Sequence, residues 1–158
     1  LRISELSELN IDNIDLNNKL VKVMGKGKKE RIVPFHDLCQ KALRVYLEKS
    51  RDFFVKNSNT KALFLGEKGK RIDPRIIRLM LSDLGKKLNI NKNMHPHRFR
   101  HAFASHMLES GADLRGIQEL MGHRSIATTE RYTEIDLSSL MKQYDNAHPH
   151  AKKKVCLE

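Results

Sequence analysis

"KLVKVMGKGKKERIVPF", Lys19 to Phe35, is the stretch that decides the fold class. Val21 and Val23 flank Lys22, and Val33 and Phe35 repeat the alternation beyond Gly25 and Gly27. A period of two puts those apolar side chains on one face of an extended strand. Two such runs joined through glycines predict a β-hairpin. Lys26, Lys28, Lys29 and Arg31 crowd its tip.

Outward from the hairpin, the periodicity is helical. "LRISEL" reads as a short helix and "NIDNIDLNN" as a turn-rich connection. "DLCQKALRVYLEKSRDFFVKN" predicts one long amphipathic helix, with Asp37 as N-cap and Leu38, Ala42, Val45 and Phe53 on its apolar side. "ALFLG", from Ala62 to Gly66, predicts a short buried strand. "EKGKRIDP" is a basic turn, with Pro74 opening a helix that runs to about Asn89.

Past Pro96 the pattern is helical almost to the end. Gly111 and Gly122 stand at C-caps, Asp113 and Ser125 at N-caps. A last amphipathic helix carries Leu137, Leu140, Met141 and Tyr144. The expected fold is mainly α with a small antiparallel β-sheet, an α+β class.

The chain has 158 residues, enough for one domain with a core, and a net charge of +11. Such an imbalance attracts polyanions, nucleic acid before anionic membrane. No apolar run approaches the roughly 20 residues that span a bilayer. No signal-peptide pattern opens the chain. Cys39 and Cys156 cannot make a disulfide framework, Cys39 reads as a small core hydrophobe, and a reduced, cytoplasmic setting is expected. Absence of a starting Met and the final Leu157 and Glu158, which resemble a vector scar, suggest an excised domain over 1–154 with a tail at 155–158.

"HPHRFRH", His95 to His101, poses the chemical question: metal or phosphate. On a helical wheel Phe99, Ala102 and Phe103 fall toward one side, expected to face the core, and His97, Arg100 and His101 toward the other. His97 and His101 have the spacing of two zinc ligands. The intervening Glu of a His-Glu-x-x-His motif is missing, no Cys pair assists, and Arg100 would add a repelling charge. No metal is expected. An oxyanion suits the face better, because a guanidinium fork matches two phosphate oxygens. Elsewhere stand Arg2 in "LRISEL", Lys26 at the hairpin tip, His123 after Gly122, and Tyr132. Two arginines, two histidines, a lysine and a tyrosine make a kit for metal-free phosphoryl transfer.

"LRISEL", "GKGKKERIVP", "HPHRFRHAFASHMLESGADLRGIQELMGH" and "SIATTERYT" occur in the order and spacing of the tyrosine recombinases, and the chain resembles the catalytic domain of that family, in its XerC/XerD branch. Phe99 stands where the family commonly has Leu. The resemblance implies Tyr132 as nucleophile forming a 3′-phosphotyrosyl link, Arg2 and Arg100 as the phosphate clamp, Lys26 as general acid, and His97 and His123 as further polar groups. The chemistry is consistent with those roles. Two guanidinium forks suit the charge that builds on non-bridging oxygens. A free tyrosine, with a pKa of about 10, is ionised only to about one part in a thousand at neutral pH, so a base such as His97 must help. Ester exchange conserves bond energy, so no ATP, magnesium or other cofactor is expected.

Lys28, Lys29, Arg31, Lys68, Lys70, Arg71 and Arg75 are the candidate phosphate contacts to double-stranded DNA. The resemblance further implies a dif-like site, a XerD-like partner recombinase, a tetramer docked through the last helix, and control by an FtsK-type translocase. It also implies an N-terminal core-binding domain, absent from this stretch. Competing readings are a phage or mobile-element integrase, a type IB topoisomerase, and a non-catalytic basic DNA-binding module.

Overall fold

The computed structural model describes residues 1–25, 30–56, 60–90, 94–111 and 113–122. Helix α1 (Ile3–Glu8) leads through a 3-10 turn at Ile11–Asn13 into a three-stranded antiparallel sheet. The strands are β1 (Ile14–Asp15), β2 (Leu20–Met24) and β3 (Glu30–Pro34), in spatial order β1-β2-β3. The expected hairpin is present, and Val21 pairs with Val33 and Val23 with Arg31. Val21 and Val23 are buried while Lys22 is exposed, as the alternation requires. Strand β1 lies within the stretch read as a turn-rich connection; two residues are too short to show a period.

The long helix is divided. Helix α2 (Asp37–Val45) passes through a π-helical turn at Tyr46–Ser50 into α3 (Arg51–Phe54). The wider turn re-phases the helix, so the expected apolar side is not the buried one. Val45 and Phe53 are exposed, Phe53 at 86%, whereas Leu43 is buried and Cys39 and Leu47 pack against the sheet's core. Cys39 is thus the small core hydrophobe expected, and its burial raises the thiol pKa. The cap is His36, whose Nδ1 accepts from the Cys39 N–H at 3.2 Å. Asp37 takes the first helical position and pairs with Lys19 at 2.6 Å.

"ALFLG" is buried, with Leu63 fully enclosed, but it forms only an isolated bridge from Ala62 to Asn10 and another from Leu65 to Arg71. Tyr46 replaces a neighbouring strand: its hydroxyl donates to Leu63 O and accepts from Leu65 N. Helix α4 (Pro74–Lys87) begins as expected, with Pro74 in its first turn and Asp73 accepting from the Arg75 N–H at 2.6 Å. Asp73→Ala is expected to cost about 1 kcal/mol of stability by stripping that cap, read as a lower urea midpoint with an unchanged slope.

Helix α5 (Pro96–Glu109) ends at Gly111, whose φ of +81° suits glycine, and Asp113 caps α6 (Leu114–Met121) through the Gly116 N–H at 3.1 Å. Gly122, at φ +65°, follows α6. Both glycines and Asp113 therefore serve as read; Ser125 and the helix of Leu137, Leu140, Met141 and Tyr144 lie outside the described residues. Two clusters form the core. Leu9, Val21, Val23, Phe35, Leu43 and Leu63 surround the sheet, and Met107, Ile117, Leu120 and Met121 join α5 to α6. Val33 packs against both.

The inward face of α5 differs from the wheel reading. It is centred on Arg100, Phe103 and Met107, residues spaced by three and four. Ala102 is exposed, and Phe99 is half-exposed on the wall of an apolar cleft of about 340 Å³ with Phe35, Phe103 and Leu120. An inward arginine is stable here because a polar partner awaits it, which a wheel cannot register.

Candidate active site

Three arginines converge on one end of α6. The last carbonyls of a helix lack intrahelical donors and form the negative end of its dipole. Arg31 Nε donates to Leu120 O at 3.4 Å, Arg100 Nη2 to Met121 O, and Arg2 Nη2 to Gly122 O at 3.0 Å. Three consecutive carbonyls thus take one guanidinium each. The donors come from the N-cap of α1, from β3 and from α5.

Glu5 keeps this cluster from being purely cationic. Its carboxylate accepts from the Arg2 backbone N–H at 2.6 Å and from Arg2 Nη1 at 2.8 Å. Arg31 completes the set with a fork, Nη1 to Oε1 at 3.0 Å and Nη2 to Oε2 at 2.8 Å. Burial by itself would push the Glu5 carboxyl up. The Arg31 hydrogen bonds, and then the Arg2 backbone N–H, overcome it and hold the pKa at about 2. Glu5 is 7% exposed and stays ionised.

Burial, and then the nearby Arg2 guanidinium, pull the Arg100 pKa below the ordinary arginine value. An arginine so far above neutrality remains charged. Its Nη1 is buried and has no hydrogen-bond partner among the described residues. Such a donor carries a desolvation cost until an acceptor arrives, and an oxyanion is the acceptor that matches its charge.

His97 lies one turn before Arg100 on α5 and is exposed, its ring edge-on to His101 with centroids 6.4 Å apart. The structure therefore brings Arg2 and Arg100 together with His97 on the neighbouring flank. Lys26, Lys28, Lys29, His123 and Tyr132 lie outside the described residues. Lys68, Lys70 and Arg75 are exposed. Arg31 and Arg71 turn inward instead. Arg71 Nη1 donates to Ser7 O and Leu9 O, both at 2.9 Å, and its Nη2 to Asn10 Oδ1 at 2.6 Å. Both guanidiniums hold elements together, so neither is free to lie along a phosphate backbone.

Glu5 is the residue that sequence reading missed. Its signal was present: an acid three places after the residue preceding a helix is the reciprocal half of a capping box. Arg31 carried a signal too, since it stands two residues before the inward Val33 and so shares its face.

A guanidinium pair beside a flanking imidazole can bind and polarise a phosphodiester. The match to known sequences points the same way, because the model of the phage integrase family fits residues 1–138. This chain belongs to the phage integrase family. It is 46% identical over 154 residues to tyrosine recombinase XerC of Pseudomonas syringae pv. syringae, covering 98% of this chain and 50% of that protein. XerC of Shewanella oneidensis is 45% identical over 153 residues, covering 97% and 49%. Among solved structures, XerA recombinase superposes with a TM-score of 0.71 at 37% identity, over 94% of this chain and 53% of that one. The chain spans about half the length of the curated relatives it matches. Membership bears out the family read from the motifs, and the similarity to XerA bears out the α+β fold class.

Proposed function

We propose that this chain is the catalytic part of a XerC-like site-specific tyrosine recombinase acting on double-stranded DNA. The observation that carries the reading is the convergence of Arg2 and Arg100, 98 positions apart in sequence, on adjoining carbonyls at the end of α6. That place directly precedes His123 in the chain.

In this reading Arg2 and Arg100 take the non-bridging oxygens of the scissile phosphate, where charge grows as attack proceeds. The Tyr132 oxygen forms the new bond to phosphorus, its proton passing to His97. The bond from phosphorus to the 5′ oxygen breaks, and Lys26 supplies the proton that the leaving oxygen needs. His123 donates a further hydrogen bond. A second ester exchange reverses these steps on another strand, so no energy source is consumed and no metal or cofactor is required.

By its likeness to XerC, the substrate is a dif-like site, the outcome resolution of chromosome dimers, and the working assembly a tetramer with a XerD-like recombinase under an FtsK-type translocase. Such a role is cytoplasmic; among the described residues no helix is long and apolar enough to cross a membrane.

The test is a nicked suicide duplex carrying the recombination site, incubated with the whole protein and run on a denaturing gel. A covalent adduct mapped by peptide sequencing to Tyr132 is expected. No adduct despite salt-sensitive binding would leave a non-catalytic DNA-binding module as the better account.

DNA contact is assigned to Lys68, Lys70 and Arg75 with the hairpin tip's Lys26, Lys28 and Lys29. Changing Lys68, Lys70 and Arg75 together to Gln is expected to flatten the plot of log K against log salt by about 0.9 for each phosphate no longer neutralised. Arg71→Gln should leave that slope alone and lower the melting temperature instead. Filter binding across a salt series, paired with thermal melting, separates the two outcomes.

A further inference from the structure

Arg31 is the least exposed of the arginines around α6 that form ion pairs, its side chain 10% exposed against 42% for Arg2. Its place follows from register. Arg31 faces Val23 across the β2–β3 pair, so it shares the core side of the sheet with a residue that is 1% exposed. From there one guanidinium reaches three elements. It forks onto both oxygens of Glu5 in α1, it donates to Leu120 O at the end of α6, and it belongs to the strand that returns from the hairpin tip.

The approach to α6 is close. A Cβ placed on Gly122 would lie 3.1 Å from Arg31 Cζ and 3.3 Å from its Nε and Nη1. The guanidinium therefore lies against the backbone of the residue that precedes His123. Arg2, for its part, takes its position from the same carboxylate that Arg31 grips, since both donate to Glu5 Oε1.

We infer that Arg31 is a positioning residue, whose guanidinium locks β3, the Arg2 end of α1 and the Gly122 end of α6 into one register. Arg2 and the α6 terminus are thereby presented together, on the same strand pair whose tip carries Lys26. Arg31 touches no DNA in this role and acts through Glu5 and Gly122. The inference rests on the recombinase reading above. A lysine could not replace it, because an ammonium is a point charge and cannot bridge two carboxylate oxygens while donating to a carbonyl.

The test measures two quantities separately with the whole protein: the single-turnover rate of adduct formation on saturated suicide substrate, and Kd by gel shift. The variants are Arg31→Met, Arg31→Lys, Arg2→Ala and the double variant Arg2→Ala with Arg31→Met. Arg31→Met is expected to slow cleavage about 100-fold, the cost of a misplaced catalytic group, while Kd moves by less than about threefold. Arg31→Lys should fail to restore the rate. In the Arg2→Ala background, Arg31→Met should add less than about threefold, because the group it positions is already gone.

A wild-type rate in Arg31→Met, or losses that multiply in the double variant, would overturn the inference, as would a loss confined to Kd. If Arg31→Met does not fold, Gly122→Ala crowds the guanidinium without removing its charge, and a wild-type cleavage rate there overturns the inference equally. Wild-type protein that forms no adduct overturns the recombinase reading and this inference with it. That result is distinct from an active wild type beside an indifferent Arg31→Met.

Discussion

Arg100→Ala is expected to slow formation of the DNA–protein adduct by a factor of about 100 to 1,000, the range for removing one preorganised donor from a developing oxyanion. The magnitude rests on where Arg100 sits. It is held inside α5's buried face with one nitrogen committed to Met121 O and another buried without a partner among the described residues. A donor fixed in advance has no reorganisation to undergo when charge appears on the phosphate. Water filling the space left by alanine would have to be ordered during the reaction itself.

Noncovalent binding should change far less, because affinity is distributed over many phosphates. Arg100→Lys should fall between, keeping the charge and losing the fork. Single-turnover rates on the suicide duplex, with Kd measured alongside, decide the matter. Equal rates for wild type and Arg100→Ala would remove Arg100 from the chemistry.

Glu5→Ala should be the most destabilising single change in the described structure, by about 3–5 kcal/mol, the usual cost of leaving a buried charge uncompensated. Arg31 would remain, with 10% of its side chain exposed and Arg2 close by, and no carboxylate between them. The same pairing predicts a pH dependence. Glu5 has a folded pKa of about 2 against an ordinary value of 4.5, a depressed carboxylate. Its contribution is fully present above the unfolded pKa and is lost as the pH falls toward the folded one. The shift corresponds to about 3 kcal/mol, withdrawn between roughly pH 5 and pH 2. Glu5→Gln keeps the shape and cannot titrate, so its stability should lack that part of the acid limb. Urea melts of both proteins across this pH range provide the check, and parallel acid limbs would show that Glu5 is not the group responsible.

The two predictions concern opposite sides of one cluster. Arg2 and Arg100 offer donors to a phosphate; Glu5 and Arg31 set the geometry from which they are offered. Removing the first pair should cost rate, and removing the second should cost stability or alignment.

Local chemistry was legible without coordinates wherever a residue's role depends on its neighbours in sequence. The β2–β3 hairpin, the helix start at Pro74, and the glycines after α5 and α6 all follow from period, ring constraint or a positive φ. Motif order was enough to place the chain in its family, because the spacing of Arg2, Arg100 and the groups after Gly122 is itself a sequence property. The π-helical turn at Tyr46–Ser50 was not legible, since nothing in "YLEKS" distinguishes a widened turn from a regular one.

Nor could sequence sort the cations. Arg31, Lys68, Lys70, Arg71 and Arg75 look alike as positive charges at turns and strand ends. Only the fold brings a carboxylate to Arg31 and backbone carbonyls to Arg71 while leaving Lys68, Lys70 and Arg75 to solvent. Charge is a property of a residue, whereas its partner is a property of distance in space. Sequence thus determined which chemical groups this protein possesses. Tertiary structure decided which arginines remain available to a phosphate and which are held by Glu5 and the carbonyls at the end of α6.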